Sequence, residues 1–236
     1  MLFRSRFSYR PGSPTVSDIN WITTYADKAH MRNILTHESF AALGSPHHWV
    51  EPVRVQQNGT FYGTAHLMEN GDEEFIKRLG LNPENPLYKM YNTFTTSPTH
   101  ATIGSGVVEK KSRKQEGSAD LQALLNGILL TGEPRRAFIY DNIDVAQMIN
   151  TMAIRSAVGE QDCCHKNYYF YRDTLGDREW EIWPWDVDLS YGRRWLSGPT
   201  YWDDVMIYDT RNPVGDNNGL LLALYNTTEI RSEEHT

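Results

Sequence analysis

Residues 159–192, GEQDCCHKNYYFYRDTLGDREWEIWPWDVDLSYG, decide how this chain is read. A helical pattern stops at Gly159, and a loop then presents Asp162, His165, Lys166 and Asn167. Two aromatic-rich runs follow, 168–172 and 180–185, separated by a turn around 173–177, and they predict an antiparallel hairpin. Its far end carries Asp186 and Asp188, two residues apart and so on one side of an extended segment. Two carboxylates on one side repel unless a cation joins them. Asp162 alone reads first as a turn-former after a helix end.

Upstream of the loop, residues 118–130 predict a helix capped by Ser118. A longer helix capped by Asp141 or Asn142 follows, with Ile143, Met148, Ile149, Met152 and Ile154 on its apolar stripe. Residues 95–117 are polar and irregular and read as a mobile segment or an inter-lobe crossing, and the basic run KKSRK (110–114) within them reads as a solvated loop. Earlier still, runs 50–56 and 60–68 flank Asn58-Gly59. This pair signals a two-residue hairpin, because both residues tolerate positive φ. Residues 29–43 predict a helix, Asp72-Glu73-Glu74 opens a short one that Gly80 ends, and LYKMY (87–91) reads as a strand. The chain is therefore expected to be α+β, with a β-rich first part and a helical second part that carries the acidic hairpin.

The 236 residues suffice for one large domain or two joined lobes. A net charge of −7 argues against a nucleic-acid partner, and no apolar run approaches the length of a membrane span. The amino terminus lacks the apolar stretch of a signal peptide. The two cysteines, Cys163 and Cys164, are adjacent, so they build neither a disulfide framework nor a spaced zinc set and read as ordinary loop thiols. The closing hexapeptide RSEEHT (231–236) follows an apolar helix start, GLLLALYN (219–226), and is expected to be a non-native tail on a shortened chain.

Asp162 and Asn167 stand five apart, the interval between the catalytic carboxylate and the metal-binding asparagine in protein-kinase catalytic loops. An acid after the next strand fits a second magnesium ligand. Phosphoryl transfer asks for little more than a carboxylate to orient a hydroxyl, oxygens for magnesium and cations for the developing charge. The segment KNYYFYRD…WEIWPWDVDLSYG resembles the signature of the spore coat protein H (CotH) kinase family, an Asp and a Lys-Asn pair before an aromatic strand and a Pro-Trp-Asp-x-Asp turn. YADKAHMRN (25–33), VRVQQNGTFYGTAHLMEN (53–70) and LYK (87–89) resemble the family's earlier segments, in the same order, so the likeness spans about 18–192.

That resemblance implies an atypical, two-lobed protein-kinase-like fold, with lobes near 18–95 and 118–230 of a single domain 1–230. It implies ATP with magnesium or manganese, and a protein substrate bearing Ser/Thr hydroxyls, which includes the protein itself. It implies a coat or cell-surface setting. By the same resemblance Asp162 is the catalytic carboxylate, and Asn167 and Asp186 hold the metal, with Asp188 competing for the second place. Asn58, Gly59 and Gly63 shape a hairpin over the phosphates, Lys89 contacts them and Glu69 is the partner of Lys89. The chain departs from ordinary kinases in having two hairpin glycines rather than three, Trp185-Asp186-Val187 where Asp-Phe-Gly would stand, and Glu69 ahead of Lys89. No Walker A run exists.

Other readings stand beside these roles. Arg32 suits a surface salt bridge better than a phosphate contact, and His165 reads as a loop histidine. Trp183, Trp185 and Trp195 are either core or a stacking surface for adenine. Two further functions remain open: a surface-assembly protein that keeps the fold without catalysis, and a carbohydrate-active enzyme, since paired acids among tryptophans also suit glycoside hydrolysis.

Overall fold

Asn58 and Gly59 both adopt left-handed φ, 52° and 81°, as a two-residue turn between right-twisted strands requires. The computed structural model describes residues 6–11, 13, 15–160, 162–191 and 218–233. Strands β1 (Phe7–Ser8) and β2 (Thr15–Val16) form a small ribbon, and β3 (Ile19–Ile22) follows. Helix α1 (Arg32–Ala42) begins later than its apolar periodicity suggests. The chain first makes a turn in which the Asp27 carboxylate accepts from the backbone N–H groups of Ala29, Met31 and Arg32, serving the helix start that Met31 does not cap. Strands β4 (Val50–Gln57) and β5 (Thr60–Glu69) pair around the Asn58-Gly59 turn, with a bulge at Val55/Gln56 opposite Gly63. β3 pairs on the other edge of β5, giving the order β3-β5-β4.

Helix α2 (Glu73–Arg78) is capped by Asp72, whose side chain accepts from the N–H groups of Glu74 and Phe75. Strands β6 (Leu87–Met90) and β7 (Val108–Lys110) then bracket a 3₁₀ turn at Pro98–Ala101. The expectation of an irregular, solvated segment across 95–117 is corrected here. Val108 is buried, and so is Lys110, whose ammonium donates to the Gly117 carbonyl at 2.8 Å and lies 5.1 Å from the Tyr88 ring centroid. A three-residue strand is too short to show periodicity, which is why the pattern hides it.

Helices α3 (Ala119–Ile128), α4 (Gly132–Asn142) and α5 (Val145–Ala157) follow. Asp141 and Asn142 end α4 rather than cap the next helix. Asp144 does the capping, accepting from Gln147 N–H at 2.9 Å. Strands β8 (Tyr168–Arg172) and β9 (Trp180–Pro184) form the expected hairpin and join a four-stranded sheet of order β7-β6-β8-β9. This sheet draws β6 from the first expected lobe and β8-β9 from the second. Helices α6 (Gly219–Tyr225) and α7 (Thr228–Glu233) close the described chain, so helical backbone continues into the suspected tail. Leu220, Leu221 and Leu224 are buried in the main core, not left exposed.

The aromatic content of β8 follows from burial on both sides. Tyr168 and Phe170 point into a core with Leu121, Leu124 and Leu220, while Tyr169 and Tyr171 point the other way, against Phe75, Ile76 and Trp183. Trp183 is fully buried and stacks on Tyr171 at 4.4 Å, so it is core rather than an adenine platform. Trp195 lies outside the described residues. Among the described residues no helix is long and apolar enough to cross a membrane.

Candidate functional site

Helix α5 delivers the chain to the acidic loop, and Arg155 in its last turn braces that loop from below. Its buried guanidinium reaches Glu160 at 3.3 Å, the Asn167 carbonyl at 3.4 Å and the Cys164 sulfur at 3.4 Å. Asn167 and Asp186 both have left-handed φ, 66° and 52°, in a region that Asn and Asp enter more readily than other side chains. These kinks sit where loop and hairpin meet, held by a hydrogen bond from Trp185 N–H to the Asn167 carbonyl at 3.0 Å.

The Asn167 amide nitrogen ties the acids together. It donates to Asp162 Oδ2 at 2.9 Å and to the Asp186 carbonyl at 3.4 Å. Lys166 Nζ sits 2.9 Å from the same Asp162 oxygen. Burial raises the proton affinity of Asp186, and the Asp162 charge adds to it, while Lys166 and Lys89 oppose. Asp188 is pushed up to about 7 by burial, then by Asp186, Asp162 and Asp27. Burial likewise lifts Glu160 to about 7, against the pull of Arg155.

Asp27 belongs to this neighbourhood although it is distant in sequence. It is fully buried and pairs with Arg32 at 2.6 Å, so the Arg32 salt bridge is an interior one, not a surface one. The same turn meets the glycine hairpin, because the His66 ring bonds the His30 carbonyl at 3.0 Å. The tip itself, Asn58 and Gly59, is solvent-exposed, and Gly63 lies at the bulge.

The expected Glu69–Lys89 pair does not form. Both Glu69 oxygens are taken by Arg78 Nε, at 2.7 and 2.9 Å, and one also accepts from Trp49 N–H at 2.6 Å. Glu69 ends β5 beside α2, whereas Lys89 sits in the other sheet, so α2 supplies the nearer cation. Lys89 makes no ion pair among the described residues. Its ammonium lies 3.9 Å from the Trp185 ring centroid, and burial, with Lys111 beside it, lowers it to about 8. The charges of Glu109, its cross-strand neighbour, and then of Asp186 pull that value back up.

Carboxylate and amide oxygens are the hard donors that magnesium prefers, and the crowding of Asp186 and Asp188 favours a cation between them. Among the described residues, however, no three His, Cys, Asp or Glu side chains form a ready metal cage. Magnesium commonly completes its shell with phosphates and water, so an open donor set is compatible with it. A cavity of about 520 Å³ lies elsewhere, between α1, α2 and the start of β4, lined by His37, His48, Trp49 and Arg78 and by none of the loop or hairpin acids.

Sequence reasoning missed Asp27, Arg155 and Glu160. Asp27 stands inside a segment the resemblance covers, but nothing local marks it as a neighbour of Asp188. Arg155 and Glu160 straddle a helix end and carry no pattern. Compared with protein-family models, residues 8–233 match the one described as CotH kinase protein. A search of curated proteins returned no match.

Proposed function

The chain belongs to the CotH kinase protein family, and on that footing we propose that it transfers the terminal phosphate of ATP to a protein Ser or Thr hydroxyl, its own included. The observation that carries this reading is the Asn167 amide, which holds the Asp162 carboxylate against the Asp186 backbone. Asp162 and Asn167, five residues apart in sequence, thereby lie beside the Asp186 backbone. In this reading Asp162 orients the attacking hydroxyl and receives its proton. Lys166, whose ammonium already sits on that carboxylate, faces the negative charge that grows during transfer. Asn167, Asp186 and Asp188 would hold magnesium or manganese, which when bound screens the phosphate charges. Lys89 would meet the phosphates, and Asn58, Gly59 and Gly63 would lay backbone N–H groups over them.

The proposal includes a kinase-like division of labour, with the β3-β5-β4 sheet on one side of the nucleotide and the helical part on the other. It also includes a coat or surface setting, which rests on the family alone. The test is incubation with labelled ATP and magnesium or manganese, for the chain itself and for Asp162→Ala, Asp186→Ala and Asp188→Ala. Loss of label transfer in Asp162→Ala and Asp186→Ala, with ATP binding retained by the former, is the expected result. Transfer that survives Asp186→Ala but not Asp188→Ala reassigns the second ligand. Nucleotide binding without any transfer identifies an assembly role, and no nucleotide binding by folded protein overturns the proposal.

A further inference from the structure

A lysine that meets phosphate needs something to fix its long side chain, and a carboxylate is the usual device. Among the described residues Lys89 has no carboxylate within ion-pair distance, and Glu109 and Asp186 act on it from farther off. Its Nζ lies 3.9 Å from the Trp185 ring centroid, with Tyr91 at 5.1 Å and Tyr169 at 5.9 Å. The Trp185 indole is itself immobilised. It packs edge-on to Tyr169 at 5.7 Å and to His48 at 5.0 Å, and its backbone N–H is bonded to the Asn167 carbonyl. His48 is in turn buried and stacked on Phe75 at 4.1 Å. The platform under the ammonium is therefore anchored both to the aromatic core and to the end of the acid-bearing hairpin.

We propose that Trp185 is the positioning residue for Lys89, its indole face doing by cation–π attraction what a paired carboxylate would do by charge. The two devices differ chemically. A carboxylate neutralises the ammonium and occupies its N–H donors, so an incoming phosphate must compete with it. An aromatic face attracts the cation without cancelling its charge and leaves N–H donors open for phosphate oxygens. Trp185 also precedes Asp186, so one short stretch sets the lysine and an acid together. The part concerning phosphate rests on the phosphotransfer reading, whereas the contact itself does not.

Two measurements test this separately. In protein carrying isotope-labelled lysine, the ε-methylene protons of Lys89, assigned with Lys89→Arg, are expected well upfield of the other lysines because they lie in the indole ring current. The displacement should vanish in Trp185→Leu and persist, reduced, in Trp185→Phe. An ordinary Lys89 shift in the unaltered protein overturns the proposal without bearing on kinase activity. The second measurement is ATP affinity in the presence of magnesium. Trp185→Leu should weaken it about tenfold, Trp185→Phe less. Adding Trp185→Leu to Lys89→Met should cost nothing further, because the indole acts through the lysine. Fully additive losses overturn the positioning role. Should the unaltered protein bind no ATP, the phosphotransfer reading fails, and the ring-current result alone decides the contact.

Discussion

The glycine hairpin and the acidic hairpin are both antiparallel pairs with left-handed residues at their critical points, yet they are stabilised in opposite ways. Around Asn58-Gly59 the strain-prone residues are exposed at a tip, and an added Cβ on Gly59 would meet nothing within 4 Å. Around Asn167 and Asp186 the left-handed residues are buried or half-buried beside Arg155 and Trp185, and burial opposes the charges of Asp186 and Asp188. The first region is a backbone device that tolerates change in its surroundings. The second is an electrostatic device in which the fold holds carboxylates where they would not collect unaided, as sites of charge chemistry tend to do.

The contrast breaks most decisively at Asp162. Asp162→Asn keeps the shape and the Asn167 neighbour but removes the charge. Label transfer should fall by about 10²–10⁴-fold with the melting temperature nearly unchanged. A variant that unfolds instead would make the acid a structural part like those of the first region.

Glu69→Gln sharpens the correction at the base of the glycine hairpin. It leaves the Arg78 guanidinium without its carboxylate in a largely buried site and should destabilise by about 3 kcal/mol in denaturant titration. If Glu69 served Lys89 instead, ATP affinity would suffer and stability would not.

Gly59→Ala probes the backbone device alone. A φ of 81° disfavours any Cβ, so a loss of about 1–2 kcal/mol in stability is expected, and a tip that lies over the phosphates should also raise the KM for ATP in the folded variant. An unchanged KM would remove the tip from the nucleotide site.

The smallest effect lies away from both regions. Burial pushes Glu181 up to about 7 from the 4.5 of an unfolded chain, even though Trp183 Nε1–H donates to it at 2.7 Å. A raised carboxyl favours the fold fully below about 4.5 and progressively less as pH climbs through about 7. Glu181→Gln should therefore raise the melting temperature by a few degrees at pH 8 and leave it nearly unchanged at pH 4.5. An equal shift at both values would show that the carboxyl is not protonated on folding.

The Asn-Gly turn, the α2 cap at Asp72, the paired strands β8 and β9 and the family itself were legible because each depends on residues close in sequence. Strand β7 and helix α4 were not. The first is too short for a period, and Asp141 and Asn142 suit a helix end as well as a helix start. The acids of the candidate site were visible as residue types at a telling interval. Their partners were not.

Local chemistry along the chain thus determined which segments turn, coil or extend, since φ preference and side-chain period act over a few residues. Tertiary structure alone decided that Glu69 belongs to Arg78, that Lys89 rests on Trp185, that Lys110 is interior and that the Asp27 charge acts on Asp188. Those choices depend on which surfaces meet once the helices and two larger sheets have packed, and a period of two or 3.6 residues says which side a residue faces but not what faces it.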